Sequence, residues 1–125
     1  MIDAATMIEE ILATGVAAQF RASGDSMYPA IKSDDLVEVE RVDSSTIRRG
    51  DVVLVRLPRG LTAHRIVHIA RDGETLRFVM RGDNTPAEDE PFTESQIVGR
   101  VRTPRRWPGW FAMRRVLRRL RAAAR

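Results

Sequence analysis

The sequence predicts a mainly β protein. The expected core is a small, partly open antiparallel β-barrel or a pair of curled sheets, with a short N-terminal helix and a basic amphipathic C-terminal helix. Three observations lead there. Short apolar or alternating runs recur at spacings of roughly 10–15 residues through the middle of the chain. Turn-forming residues separate them, most clearly at Arg71-Asp72-Gly73-Glu74. Apolar residues at helical spacing are confined to the two ends. This divides the chain into an N-terminal helix over 1–15, a β-domain over 16–103 and a basic amphipathic tail over 104–125.

The first segment can be capped by Asp3 and stopped by Gly15. Ala4, Met7, Ile8, Ile11 and Leu12 fall on one expected stripe. One helix is too little for a helix-turn-helix, so this segment is not a DNA-reading module. Next, Leu36-Val37-Glu38-Val39-Glu40 alternates apolar and polar side chains, as a half-buried strand does. Asp51-Val52-Val53-Leu54-Val55-Arg56 is almost continuously apolar and predicts a buried strand. Arg65-Ile66-Val67-His68-Ile69 and Leu76-Arg77-Phe78-Val79-Met80 predict a hairpin, and Ile97-Val98-Gly99-Arg100-Val101 a closing strand. Beyond Thr103-Pro104, a breaker-rich hinge leads into 110–124. There Trp110, Met113, Leu117, Leu120 and Ala124 form a stripe among arginines.

Composition narrows the function. The chain has 125 residues and no cysteine, which excludes a disulfide scaffold, a thiolate nucleophile and a sulfur-based zinc site. Charge is unevenly spread. Residues 1–99 carry 17 acidic and 11 basic side chains, a net −6, whereas 100–125 carry ten arginines and no acid. The pI of 10.8 therefore describes the tail. No apolar stretch near the start reaches the roughly 20 residues a membrane span needs, and the opening acids are the reverse of a secretion signal. The expected location is the cytoplasm.

Three segments could carry chemistry. Ser23-Gly24-Asp25-Ser26-Met27-Tyr28-Pro29 sets a serine in a forced bend, where its hydroxyl can be exposed. His64 and His68 are spaced i, i+4, but the β-branched Ile66 and Val67 between them indicate a strand. On a regular strand they would share a face about 13 Å apart, too far for one metal ion. Arg81-Gly82-Asp83-Asn84-Thr85-Pro86-Ala87-Glu88-Asp89 is an acidic turn-rich loop whose spacing does not fit a calcium loop. No metal and no cofactor is expected.

Taken together and in order, these segments resemble the serine peptidases of the signal peptidase and LexA-like clan (S24/S26 type). Ser26-Met27-Tyr28-Pro29 is similar to the clan's Ser-Met-x-Pro box. Ser33-Asp34-Asp35-Leu36-Val37 resembles its Gly-Asp-leading strand, with Ser33-Asp34 in place of the usual glycine. Gly50-Asp51-Val52-Val53 and Gly82-Asp83-Asn84 resemble its second Gly-Asp strand and its late Gly-Asp-Asn box. The resemblance spans about residues 20–102. It departs at the general base. The clan's bacterial members use lysine, but Lys32 lies in the wrong segment. His64-Arg65 stands at the expected place, as in the archaeal and endoplasmic-reticulum signal peptidases. Gly24 replaces a serine that some members use as an oxyanion donor, and the membrane anchor of signal peptidases is not found.

What the resemblance implies is a serine endopeptidase. Ser26 would attack a peptide carbonyl, and His64 would take its proton. Asp83 or Asp89 would orient the imidazole. The Ser26 backbone N–H would be one oxyanion donor, with Ser23 a candidate for the second. The expected partner is an extended peptide or protein substrate. Asp25 is expected to be a turn residue, Asp51 a loop-ordering residue, and His68 a packing residue near the same sheet face. The alternatives are a non-catalytic peptide-binding module of the same fold and a LexA-like self-cleaving regulator. Residues 105–125 could lie on an anionic membrane surface, making the protein peripheral there. Nucleic acid is not an expected partner, because no base-reading module accompanies the arginines.

Overall fold

The computed structural model describes residues 4–103. A helix, α1 (Ala4–Ala13), precedes seven strands: β1 (Ala18–Arg21), β2 (Leu36–Glu40), β3 (Val52–Leu57), β4 (Gly60–Asp72), β5 (Thr75–Arg81), β6 (Phe92–Thr93) and β7 (Ile97–Arg102). They form one antiparallel sheet in the order β1-β2-β7-β3-β4-β5-β6. The fold is thus mainly β and unclosed, with β1 and β6 as its outer strands. The expected Asp3 cap and the amphipathic segment 104–125 lie outside the described residues.

Strand β3 explains how one sheet supports two cores. Its side chains alternate between faces, and Val52 through Val55 are all buried. Val52 and Leu54 join Val37, Val39 and Val101, a layer that α1 covers with Ile8 and Leu12. Val53 and Val55 join Ile66, Phe78, Met80 and Phe92 on the other side. The near-continuous apolar run in the sequence is therefore a partition wall. Two-residue β6 is held by the Phe92 ring, stacked on Phe78 with centroids 5.6 Å apart.

Two expectations change. In α1 the buried residues are Ala5, Ile8 and Leu12, whereas Ala4 is exposed, as are Met7 and Ile11 at 53% and 41%. The helix is short and only one narrow stripe meets the sheet, so the wider stripe read from spacing is half unused. In β4, Ile66 pairs with Met80 but His68 pairs with Val79, so Val67 is the extra residue of a β-bulge. The bulge flips the alternation. His64 and Ile66 are buried, while His68 is exposed and meets Glu88 at 3.2 Å. His68 therefore leaves the face it was expected to share.

Gly99 marks the tightest packing of β7 on its neighbours. A Cβ there would stand 2.6 Å from the Glu40 carbonyl oxygen, 2.7 Å from Val39 Cγ2 and 3.3 Å from Leu12 Cδ1. Gly99→Ala is expected to destabilise the fold by about 1–3 kcal/mol through overpacking, read from the midpoint of urea unfolding.

Candidate active site

The turn between β1 and β2 is built to present Ser26. Gly24 adopts φ +82°, a left-handed conformation that reverses the chain before the serine. The Tyr28 N–H donates to the Asp25 carbonyl at 3.1 Å, and the Ile31 N–H to the Met27 carbonyl at 2.9 Å. Met27 and Ile31 are buried in the α1-side core and tie the turn down. Asp25 is thus a turn residue. The Ser26 N–H meets no acceptor among the described residues.

Across from this turn, β4 carries His64, which is 6% exposed and pairs with Val53 of β3. Its Nε2 lies 3.1 Å from Ser26 Oγ, and its Nδ1 lies 2.5 Å from Asp89 Oδ2. A carboxylate can only accept, so Nδ1 carries the proton, which leaves Nε2 of a neutral ring as the acceptor for the serine hydroxyl. Asp89 is placed by its own backbone, whose N–H donates to the Met80 carbonyl at 2.8 Å.

Of the two candidate acids, the structure puts Asp89 on the imidazole and Asp83 elsewhere. Both Asp83 oxygens are taken by Arg65, with Nε and Nη2 each at 2.8 Å. Arg65 also donates from Nη1 to the Gly50 carbonyl at 2.7 Å. Hydrogen bonding to Asp83 raises the pKa of the Arg65 guanidinium, outweighing the opposite effect of burial. The guanidinium therefore keeps its charge in this contact. The ion pair fixes the loop after β5 to the loop before β3. Asp51 orders that second loop, accepting from the Arg48 N–H at 2.9 Å.

The Gly82-Asp83-Asn84 segment acts as a cradle for the serine turn. The Asn84 N–H donates to the Ser26 carbonyl at 2.9 Å, and its side-chain amide to the Asp25 carbonyl at 3.1 Å. Gly82 has no room for a side chain. A Cβ would stand 2.6 Å from the Ser26 carbonyl oxygen and 3.1 Å from His64 Nε2. These roles were not evident from the residue types alone. A Gly-Asp-Asn run reads equally well as an ordinary turn, and only its distant partners give it meaning.

A cleft of about 710 Å³ opens beside the serine. Phe20, Ala22, Ile31, Leu54, Leu61 and Ala63 supply apolar wall, α1 contributes Ala4 and Ile8, and Ser26, His64 and Asp89 face into it. Ser23 also lines it. Two strand edges border this cleft. β1 is an outer strand, and β4 from Gly60 to His64 pairs with β3 only, because β5 joins it first at Arg65. Lys32 stands 6.0 Å over the Tyr28 ring. The Ser33-Asp34 replacement of glycine is accommodated directly, with Asp34 at φ +71°. Among the described residues, no group of three His, Asp or Glu side chains is placed to hold a metal ion.

A serine, a buried histidine and a carboxylate linked in sequence, on an antiparallel β scaffold, define the geometry of a serine-hydrolase triad. The family model described as Peptidase S24-like matches residues 3–102, and the chain belongs to that family of serine peptidases and LexA-like self-cleaving regulators. No curated protein matches the chain. Among the described residues, no helix is long and apolar enough to cross a membrane.

Gly82→Ala tests the cradle. The added methyl must displace either the Ser26 carbonyl or the imidazole. We expect the reactivity of Ser26 toward a fluorophosphonate to fall by about a hundredfold, the scale of an ångström misplacement, with circular dichroism unchanged.

Proposed function

We propose that this protein is a serine endopeptidase that cleaves an extended peptide with Ser26 as nucleophile, His64 as general base and Asp89 as the residue that orients it. The observation that carries this reading is the imidazole itself, which spans Ser26 Oγ at 3.1 Å and Asp89 Oδ2 at 2.5 Å while shielded from water. Ser26 Oγ bonds to the substrate carbonyl carbon as its proton moves to His64 Nε2. Collapse of the tetrahedral intermediate breaks the C–N bond, and the imidazolium returns the proton to the leaving amine. A water then repeats the sequence and frees the acid product. Asp89 keeps the ring in the tautomer with Nδ1 protonated and stabilises the imidazolium between steps.

The unengaged Ser26 N–H suits the developing oxyanion. Ser23, on the cleft wall, is the candidate second donor. The two exposed strand edges support a substrate bound in extended form, where backbone hydrogen bonds give affinity and the apolar wall selects side chains.

Fluorophosphonate labelling followed by mass spectrometry tests this directly. Modification is expected at Ser26 in the wild type and is expected to vanish in Ser26→Ala and His64→Ala. A wild-type protein that takes no label at Ser26 would remove the serine-nucleophile reading. The two acids should separate clearly. Asp89→Asn is expected to lower kcat/KM by about a thousandfold or more, through loss of the correct tautomer. Asp83→Asn leaves Arg65 without its bidentate partner, so it is expected to cost mainly stability, about 1–3 kcal/mol by thermal unfolding.

A further inference from the structure

We infer that Arg59 is a fourth member of this assembly, a positioning residue that locks the Asp89 carboxylate in the orientation His64 needs. The inference rests on the Ser26–His64–Asp89 reading and extends it to a residue at the edge of the site.

Arg59 occupies a two-residue hairpin turn. Leu57 of β3 pairs with Gly60 of β4, leaving only Pro58 and Arg59 between them. Pro58 fixes its own φ, and Gly60 takes φ +116°, so little freedom remains in where the Arg59 side chain starts. That side chain is 56% exposed, yet its Nη2 reaches 2.5 Å from Oδ1 of Asp89, whose side chain is only 11% exposed. The other Asp89 oxygen, Oδ2, holds His64 Nδ1. One carboxylate is thus gripped at both oxygens, by Arg59 in the turn just before β4 and by His64 four residues into that strand.

The physical need for such a grip is specific. A carboxyl group turns about its Cβ–Cγ bond in a broad, two-fold well. A single hydrogen bond to Nδ1 leaves that rotation soft. A second donor on Oδ1 fixes the plane, and with it the line along which Nε2 points at Ser26. The guanidinium is also the charge that pairs Asp89 while the imidazole is neutral, so a nearly buried carboxylate does not stand alone. Arg59 lines the cleft as well, so a bound peptide would shield this ion pair from water and strengthen it. The charged and polar groups assembled around His64 are then Asp89 from the loop after β5, Arg59 from the β3–β4 turn, Ser26 from the β1–β2 turn, and the neighbouring Arg65–Asp83 pair.

The test compares Arg59→Gln and Arg59→Lys in the full chain with two readouts. The first is fluorophosphonate inactivation, resolved into the binding constant of the probe and the limiting rate of labelling. The second is the far-downfield proton resonance of His64 Nδ1–H, recorded without any ligand and assigned by its loss in Asp89→Asn. We expect Arg59→Gln to lower the limiting rate by about tenfold with the binding constant unchanged, and to broaden or shift the resonance. Arg59→Lys, which keeps a charged donor, should restore most of both. An Arg59→Gln protein with wild-type labelling and an unmoved resonance would overturn the inference. So would a change confined to the binding constant, which would make Arg59 a contact for the probe. If the wild type takes no label at all, the peptidase reading fails, while the resonance still decides whether Arg59 holds Asp89.

Discussion

The constraint on which the site depends is the close approach of two loops that belong to different cores. The loop after β5 runs so near the serine turn that its first residue can have no side chain. Contact there is made backbone to backbone, from the Asn84 N–H to the Ser26 carbonyl. This bond lets a serine anchored in one layer face a histidine and an acid placed from the other. Burial of Met27 and Ile31 on one side and of Met80 and Phe92 on the other supplies the force that keeps the loops together. The Arg65–Asp83 pair adds a directional tie, bidentate and nearly planar in its demands.

Much of the fold was legible because the strands repeat simple patterns. The alternation in β2 and the apolar run in β3 each follow from one or two buried faces, and Gly73 at φ +64° makes the two-residue turn that its neighbours suggested. β1 and β6 were not legible. A four-residue outer strand and a two-residue one carry too few side chains to show a period, and their position depends on partners distant in sequence. The early start of β4 at Gly60 was hidden for a related reason. Its pairing with β3 continues from the hairpin turn through Leu61-Thr62-Ala63-His64, an alternation too short to mark a strand by itself.

At the site, the order of the motif segments is what singles out Ser26 and His64, since neither residue is distinctive alone, and the structure sets them 3.1 Å apart. The choice between Asp83 and Asp89 could not be made that way. Both acids follow the same strand, and what separates them is the adjacent Arg65, whose fork captures one acid and leaves the other to the imidazole. His68 shows the converse limit. Its spacing from His64 is that of a shared face, but one extra residue at Val67 reverses the strand's sidedness, and no local pattern announces such a bulge.

The partition formed by β3 has a consequence for how the protein should respond to warming. Ser26 is anchored through its neighbour Met27 to the layer that includes α1, whereas Asp89 is anchored through its backbone bond to Met80 in the layer around Phe78 and Phe92. The hydroxyl-to-imidazole separation is therefore a gauge of how firmly the two layers are docked. Loosening between them would lengthen that gap while each layer kept its own packing and its backbone ladder. The Ser26–His64 contact would then be the first feature to soften as temperature rises, ahead of any loss of secondary structure. In such an architecture, the site would melt before the scaffold.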